Sequence, residues 1–208
     1  MWRAEHVALD HPEGMIVTAK VLERPITEKP TMQESYKRAC ELFPSHRVEF
    51  IDGRIVVNDV PTWDHNKIIS RLLKLIISMV TDRDWEIGTN IKLFLGAQAD
   101  RYIPDLTIVP PHPRMWRDDE VYGEDTNLVV EVVSPSSVHD DHAVKPREYA
   151  RAGVPLYLLI DPAQSIAILF SLPTGKGYQH RTQVELGTAL DLPEPWKLAI
   201  DTGKLVEA

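Results

Sequence analysis

Apolar residues recur along this chain with two different periods, and the switches between them mark its elements. Between Thr62 and Val80 they fall at Ile68, Ile69, Leu72, Leu73, Ile76, Ile77 and Val80. That 3.6-residue period predicts one long amphipathic helix. Upstream, Thr31-Met32-Gln33-Glu34 is a capping box, in which the threonine hydroxyl and Glu34 each satisfy a free N–H of a first turn. The helix it opens is expected to end near Phe43-Pro44. Residues 48–51 and 54–57 flank Asp52-Gly53, the dipeptide of a two-residue hairpin turn.

Beyond the long helix the period becomes two. Trp85, Ile87, Ile91, Leu93 and Leu95 alternate with Glu86, Asn90 and Lys92, which predicts a strand. Residues 103–109 and 128–133 are apolar on both faces and predict two central strands, joined by a loop that carries Pro110, Pro111 and Pro113. A short helix is expected over about 144–152, stopped by Gly153. Residues 156–161 and 166–170 read as a strand pair turned by Pro162-Ala163-Gln164, and weaker peripheral strands follow.

These elements predict an α/β domain over 31–208, a central mixed sheet flanked by the helices at 62–80 and 144–152. Residues 1–30, with Pro12, Pro25 and Pro30 around one apolar stretch, Met15-Ile16-Val17, predict an arm with one strand. Such an arm packs on the body or crosses to a partner subunit. No repeat or low-complexity tract interrupts the chain.

Composition narrows the function classes. At 208 residues, 43% hydrophobic and 26% charged, the chain can bury a real core. It has no apolar run of about 18 residues that would span a membrane, and its first residues lack the apolar core of a signal peptide. The single cysteine, Cys40, excludes an internal disulfide and a cysteine-built zinc site, and fits a reducing cytoplasm. A net charge of −8 weighs against non-specific coating of nucleic acid.

The informative chemistry is a pair of carboxylates inside apolar segments, Asp105 between Pro104 and Leu106, and Glu131 between Val130 and Val132. A buried carboxylate pairs, protonates or binds metal. If the two strands are neighbours in matching register, both acids meet on one face and offer the oxygen donors that Mg2+ or Mn2+ needs. The competing reading is a buried carboxylate that holds a backbone N–H or an arginine. Lys145, next to Arg147 and Arg151, would stabilise a phosphate or an attacking water, although spacing alone favours a helix-surface lysine. His65 and Asn66 fit a capping or packing role. His139 and His142 read as solvated, Asp161 as a turn initiator, and the aromatics as too scattered for a stacking platform.

In order along the chain, Ile103-Pro104-Asp105, then Val130-Glu131-Val132-Val133-Ser134-Pro135, then Lys145-Pro146-Arg147-Glu148-Tyr149, then Leu159-Ile160-Asp161-Pro162 resemble the Uma-two family of restriction endonucleases, within the PD-(D/E)XK nuclease superfamily. The resemblance reaches back to Val48-Glu49-Phe50-Ile51-Asp52-Gly53 and His65, and spans about residues 31–200. It implies a restriction-endonuclease-like core and metal-dependent hydrolysis of nucleic acid, with DNA as the partner. Asp105 and Glu131 would be the metal ligands, and Glu49 a further acidic residue of the site. The superfamily's lysine lies two residues after the second acid, where this chain has Val133, so Lys145 would be its replacement from the following helix. A homodimer follows from the need to cut two strands. The alternatives are a non-enzymatic member of the fold that binds DNA or a protein partner, which the acidic net charge favours, and a hydrolase of a smaller phosphoester.

Overall fold

Two six-stranded mixed sheets, not one, form the body of the computed structural model, which describes residues 4–9, 17–22, 30–58, 60–96 and 100–206. In the arm, β1 (Ala4–Leu9) and β2 (Val17–Leu22) pair antiparallel, so two strands stand where one was expected. Met15, Ile16, Pro12 and Pro25 lie outside the described residues.

The body opens with α1 (Met32–Leu42), whose N-terminus carries the expected capping box between Thr31 and Glu34. Strands β3 (Arg47–Ile51) and β4 (Arg54–Asn58) form the hairpin. Its turn residues Asp52 and Gly53 have φ of 47° and 74°, the left-handed pair that matches the twist of the flanking strands. Next comes α2 (Trp63–Asp82), capped by the Thr62 side chain.

The alternating stretch after α2 is split. Asn90, at φ 57°, turns the chain between β5 (Glu86–Gly88) and β6 (Lys92–Leu95), which lie in different sheets. The strand expected over 103–109 begins only at Leu106: β8 (Leu106–Val109) lies in one sheet, while β7 (Asp100–Tyr102), just before the run, lies in the other. The expected proline loop contains two further strands, β9 (Met115–Arg117) and β10 (Glu120–Tyr122).

Strand β11 (Leu128–Val132) leads through one wide π-turn, Asp140–Val144, into α3 (Lys145–Arg151). Strands β12 (Leu156–Asp161), β13 (Ile166–Thr174) and β14 (Gly177–Glu185) form a meander; β15 (Ala189–Leu192), β16 (Leu198–Asp201) and α4 (Gly203–Val206) close the described chain.

The larger apolar sheet runs β14-β13-β12-β11-β8-β5, and the second runs β4-β3-β7-β6-β10-β9. Alternation along the central strands divides the core. Leu106, Ile108, Leu128, Val130 and Val132 face α2 and bury Ile68, Leu72, Ile76 and Val80 of its stripe. Each such side chain contributes about 2 kcal/mol by leaving water. On the opposite face Val129, Tyr157 and Leu159 pack with Tyr149 of α3 and with Ile51, Leu93 and Tyr102 of the second sheet. Asp105 and Glu131 share the parity of that second face, so both point into the layer between the sheets.

Candidate active site

The register of β8 and β11 sets the carboxylates opposite each other. These strands pair Leu106 with Val130, Thr107 with Val129 and Ile108 with Leu128; one more step in that register sets Asp105 across from Glu131. Asp105 stands at the bend just before β8, not inside a strand. That bend frees its carboxylate to accept the Val132 N–H at 2.8 Å.

Three further elements complete a cavity of about 280 Å3 that Asp105 and Glu131 line together with Glu49, His65, Asp141 and Lys145. The first turn of α2 brings His65, whose Nε2 lies 3.0 Å from Oδ2 of Asp105 and 3.1 Å from the Val132 carbonyl oxygen. Facing two oxygens, Nε2 is the protonated ring nitrogen. His65 therefore does more than the capping or packing expected of it, while Asn66 does not line the cavity. Strand β3 brings Arg47, 2.6 Å from Oδ1 of Asp105, and Glu49. Glu49 is buried; it accepts the Ile103 N–H at 2.7 Å and a bond from Asn58.

Lys145 is no surface residue. It is 5% exposed, and its Nζ lies 2.8 Å from both Oε1 of Glu131 and Oδ1 of Asp141. Tyr149 donates to the same Glu131 oxygen at 2.8 Å. The residue before a proline normally avoids the helical region, yet Lys145 adopts φ −60°, ψ −42° ahead of Pro146. The π-turn and the two buried ion pairs hold it there. Such wide turns concentrate at functional positions because they re-aim side chains without ending the helix.

Four buried carboxylates, Glu49, Asp105, Glu131 and Asp141, thus face one cavity. Among the described residues that line it, Arg47 and Lys145 supply the fixed positive charge. The surplus of negative charge shows in the proton affinities. Burial pushes Glu131 well above the ordinary carboxylate range; Lys145 opposes this, and Asp105, Asp141 and Glu49 add to it. Burial likewise raises Glu49 against the pull of Lys145. Burial alone would lower Lys145, but Glu131, Asp141 and Glu49 outweigh it and keep the ammonium protonated. Burial would also raise Asp105; the hydrogen bond and charge of His65, the Arg47 charge and the Val132 N–H reverse that and bring it down to about 2.

Among the described residues, no three His, Cys, Asp or Glu side chains form a ready-made metal cage. What the cavity does offer is oxygen: the carboxylates of Asp105 and Glu131 and the Val132 carbonyl, in a site with more negative than positive charge. That donor chemistry fits a hard dication that keeps several waters.

Arg47, Asp141 and Tyr149 escaped the sequence reading. Asp141, Lys145 and Tyr149 stand four residues apart, a helical stripe that could have flagged two of them. Arg47 had no local signal. Elsewhere, His142 is not solvated but lies 2.7 Å from Asp161, which also caps its turn by accepting the Gln164 N–H. Arg147 and Arg151 pair with Asp52 and Glu148 outside the cavity. Nor are the aromatics all scattered: Trp116 stacks on Phe94 at 4.2 Å beside Tyr122.

The chain matches the family model Uma2, described as "Putative restriction endonuclease", over residues 33–202, and it belongs to that family. An uncharacterized protein of Synechocystis sp. is 25% identical over 119 residues, which cover 56% of this chain and 67% of that protein. The crystal structure of a putative nuclease belonging to DUF820 from Anabaena variabilis matches with a TM-score of 0.65 at 18% identity, covering 85% of this chain and 97% of that one. This likeness shows the fold, a mixed α/β core of the restriction-endonuclease type. Among the described residues no helix is long and apolar enough to cross a membrane.

Proposed function

We propose that this member of the family hydrolyses phosphodiester bonds of nucleic acid, DNA foremost, with Mg2+ or Mn2+ held by Asp105 and Glu131. The observation that carries the reading is the convergence of Asp105, Glu131, Glu49 and Lys145, from separate elements, on one cavity. When bound there, a dication supplies a polarised phosphate oxygen and a water of lowered pKa. The chain's own residues prepare the rest. His65 and the Val132 N–H fix the direction of the Asp105 carboxylate. Tyr149 and Lys145 fix that of Glu131. The Lys145 ammonium has three N–H bonds; it donates one to Glu131 and forms an ion pair with Asp141, so donor capacity remains for the attacking water or for a phosphate oxygen. Glu49 has both oxygens occupied, and by holding the Ile103 N–H it fixes the bend that presents Asp105. It acts as a positioning residue.

The test is cleavage of supercoiled plasmid DNA. The wild-type protein is expected to nick or linearise it in Mg2+ or Mn2+, and to leave it intact in EDTA or as Asp105→Asn. DNA and RNA that stay intact with both metals overturn the reading. Tight DNA binding without cleavage would then favour the non-enzymatic alternative.

A further inference from the structure

Arg47 opens β3 and reaches into the cavity, where its Nη1 lies 2.6 Å from Oδ1 of Asp105 and 3.5 Å from the Ile103 carbonyl oxygen. The two oxygens of Asp105 are held in different ways. Oδ2 is fixed by the scaffold, through the Val132 N–H at 2.8 Å and the His65 ring at 3.0 Å. Oδ1 is held by the end of one long, flexible side chain.

That side chain is also the less rooted partner. It is 20% exposed against 4% for the Asp105 side chain. Its Nε is buried, with no hydrogen-bond partner among the described residues. A guanidinium grips a carboxylate best through two parallel N–H bonds; here Nη1 makes the contact and Nε goes unmatched. The arrangement neutralises Asp105 without locking Arg47.

Oδ2 already accepts from two groups, so a dication bound by Asp105 and Glu131 would take the open lone pair of Oδ1, beside the guanidinium, and like charges a few ångströms apart repel. That repulsion would drive the guanidinium off Oδ1. The hydroxyl-rich segment Ser134, Ser136 and Ser137 borders the same cavity, so the vacating side chain stays next to room for an anion.

We infer that Arg47 is a displaceable counter-ion: it neutralises Asp105 in the metal-free protein and, when the metal takes Asp105, moves to bind a substrate phosphate oxygen. Anion binding by the cavity thereby becomes conditional on metal. The inference rests on the metal-dependent reading of this site and adds an order of events to it.

The test uses Mn2+ alone and then sulfate as a phosphate surrogate, both followed by calorimetry on the folded full chain. Arg47→Met keeps the stem and removes the charge. It is expected to bind Mn2+ roughly tenfold or more tightly than wild type, the scale of one charged hydrogen bond no longer competing. Wild type is expected to bind sulfate only when Mn2+ is present, and Arg47→Met not at all. Arg47→Lys, a milder change should the methionine variant fold poorly, should also tighten Mn2+ binding, by a smaller factor. Unchanged or weaker Mn2+ binding in both variants overturns the inference and leaves the nuclease reading standing. Wild-type protein that binds no Mn2+ overturns both. Metal-for-arginine exchange without any cleavage supports the inference and removes the nuclease reading.

Discussion

The ammonium of Lys145 lies 2.8 Å from the carboxylate of Glu131, and Asp141 closes the group from the other side at 2.8 Å. The cation that the proposed chemistry needs is thus also part of the core, so removing it has two consequences. Lys145→Met is expected to abolish cleavage while Mn2+ binding persists, because the metal's ligands are oxygens. It also strands two buried carboxylates, at a cost of about 3 kcal/mol, tempered because Glu131 readily takes up a proton. For a chain of this size that lowers Tm by roughly 6–12 °C. A variant that melts like wild type and still cleaves DNA contradicts the assignment.

Asp105 should govern the acid limb of stability. Its carboxyl falls from an ordinary 3.8 to about 2 in the folded protein. A depressed carboxyl adds stability above its unfolded value and loses it as pH falls toward its folded value. The contribution, about 2 kcal/mol at neutral pH, should therefore fade between about pH 4 and pH 2. Urea unfolding of Asp105→Asn is expected to show that slope missing; an unchanged acid limb would place the ionic network elsewhere.

Glu131 should act in the opposite direction. Burial and its acidic neighbours hold it well above the ordinary range. A raised carboxyl contributes its full stability below the unfolded value, and that contribution declines as pH climbs toward the folded value. Compared with wild type, Glu131→Gln should gain stability on going from about pH 4 to neutral pH. Carboxyl-carbon NMR of the metal-free protein gives the direct check. A Glu131 midpoint at or below that of a solvated glutamate would deny the surplus of negative charge in the cavity.

The arm and the need to cut two strands lead us to expect a homodimer, the commonest closed assembly. Light scattering at tens of micromolar should give twice the 23.6 kDa of one chain; a single-chain mass would refute it.

Much of the site was legible because parity is legible. Glu131 inside β11 and Asp105 one residue before β8 keep the parity of Val129 and Thr107, and the pairing of those neighbouring strands brings them together. The boundaries were not, and for a physical reason. A chain that crosses from one buried sheet to another needs no exposed linker, and Tyr102, Ile103, Asp105 and Leu106 are all buried, so no solvated stretch marks the crossing. Pro104, which has no N–H for a ladder, was the local sign that pairing stops there. Polar composition misled in the other direction: His139-Asp140-Asp141-His142 looks like a solvated loop, yet its wide turn buries Asp141 against Lys145. Arg47 stands 58 residues before Asp105, and only the tertiary fold connects them.

The most direct measurement is anomalous scattering from crystals soaked in Mn2+. A peak is expected in the cavity in contact with both Asp105 and Glu131, with Lys145 still on Glu131 and Arg47 withdrawn from Asp105. A cavity without anomalous density at saturating Mn2+, with Arg47 still bonded to Asp105, would contradict a metal-dependent site.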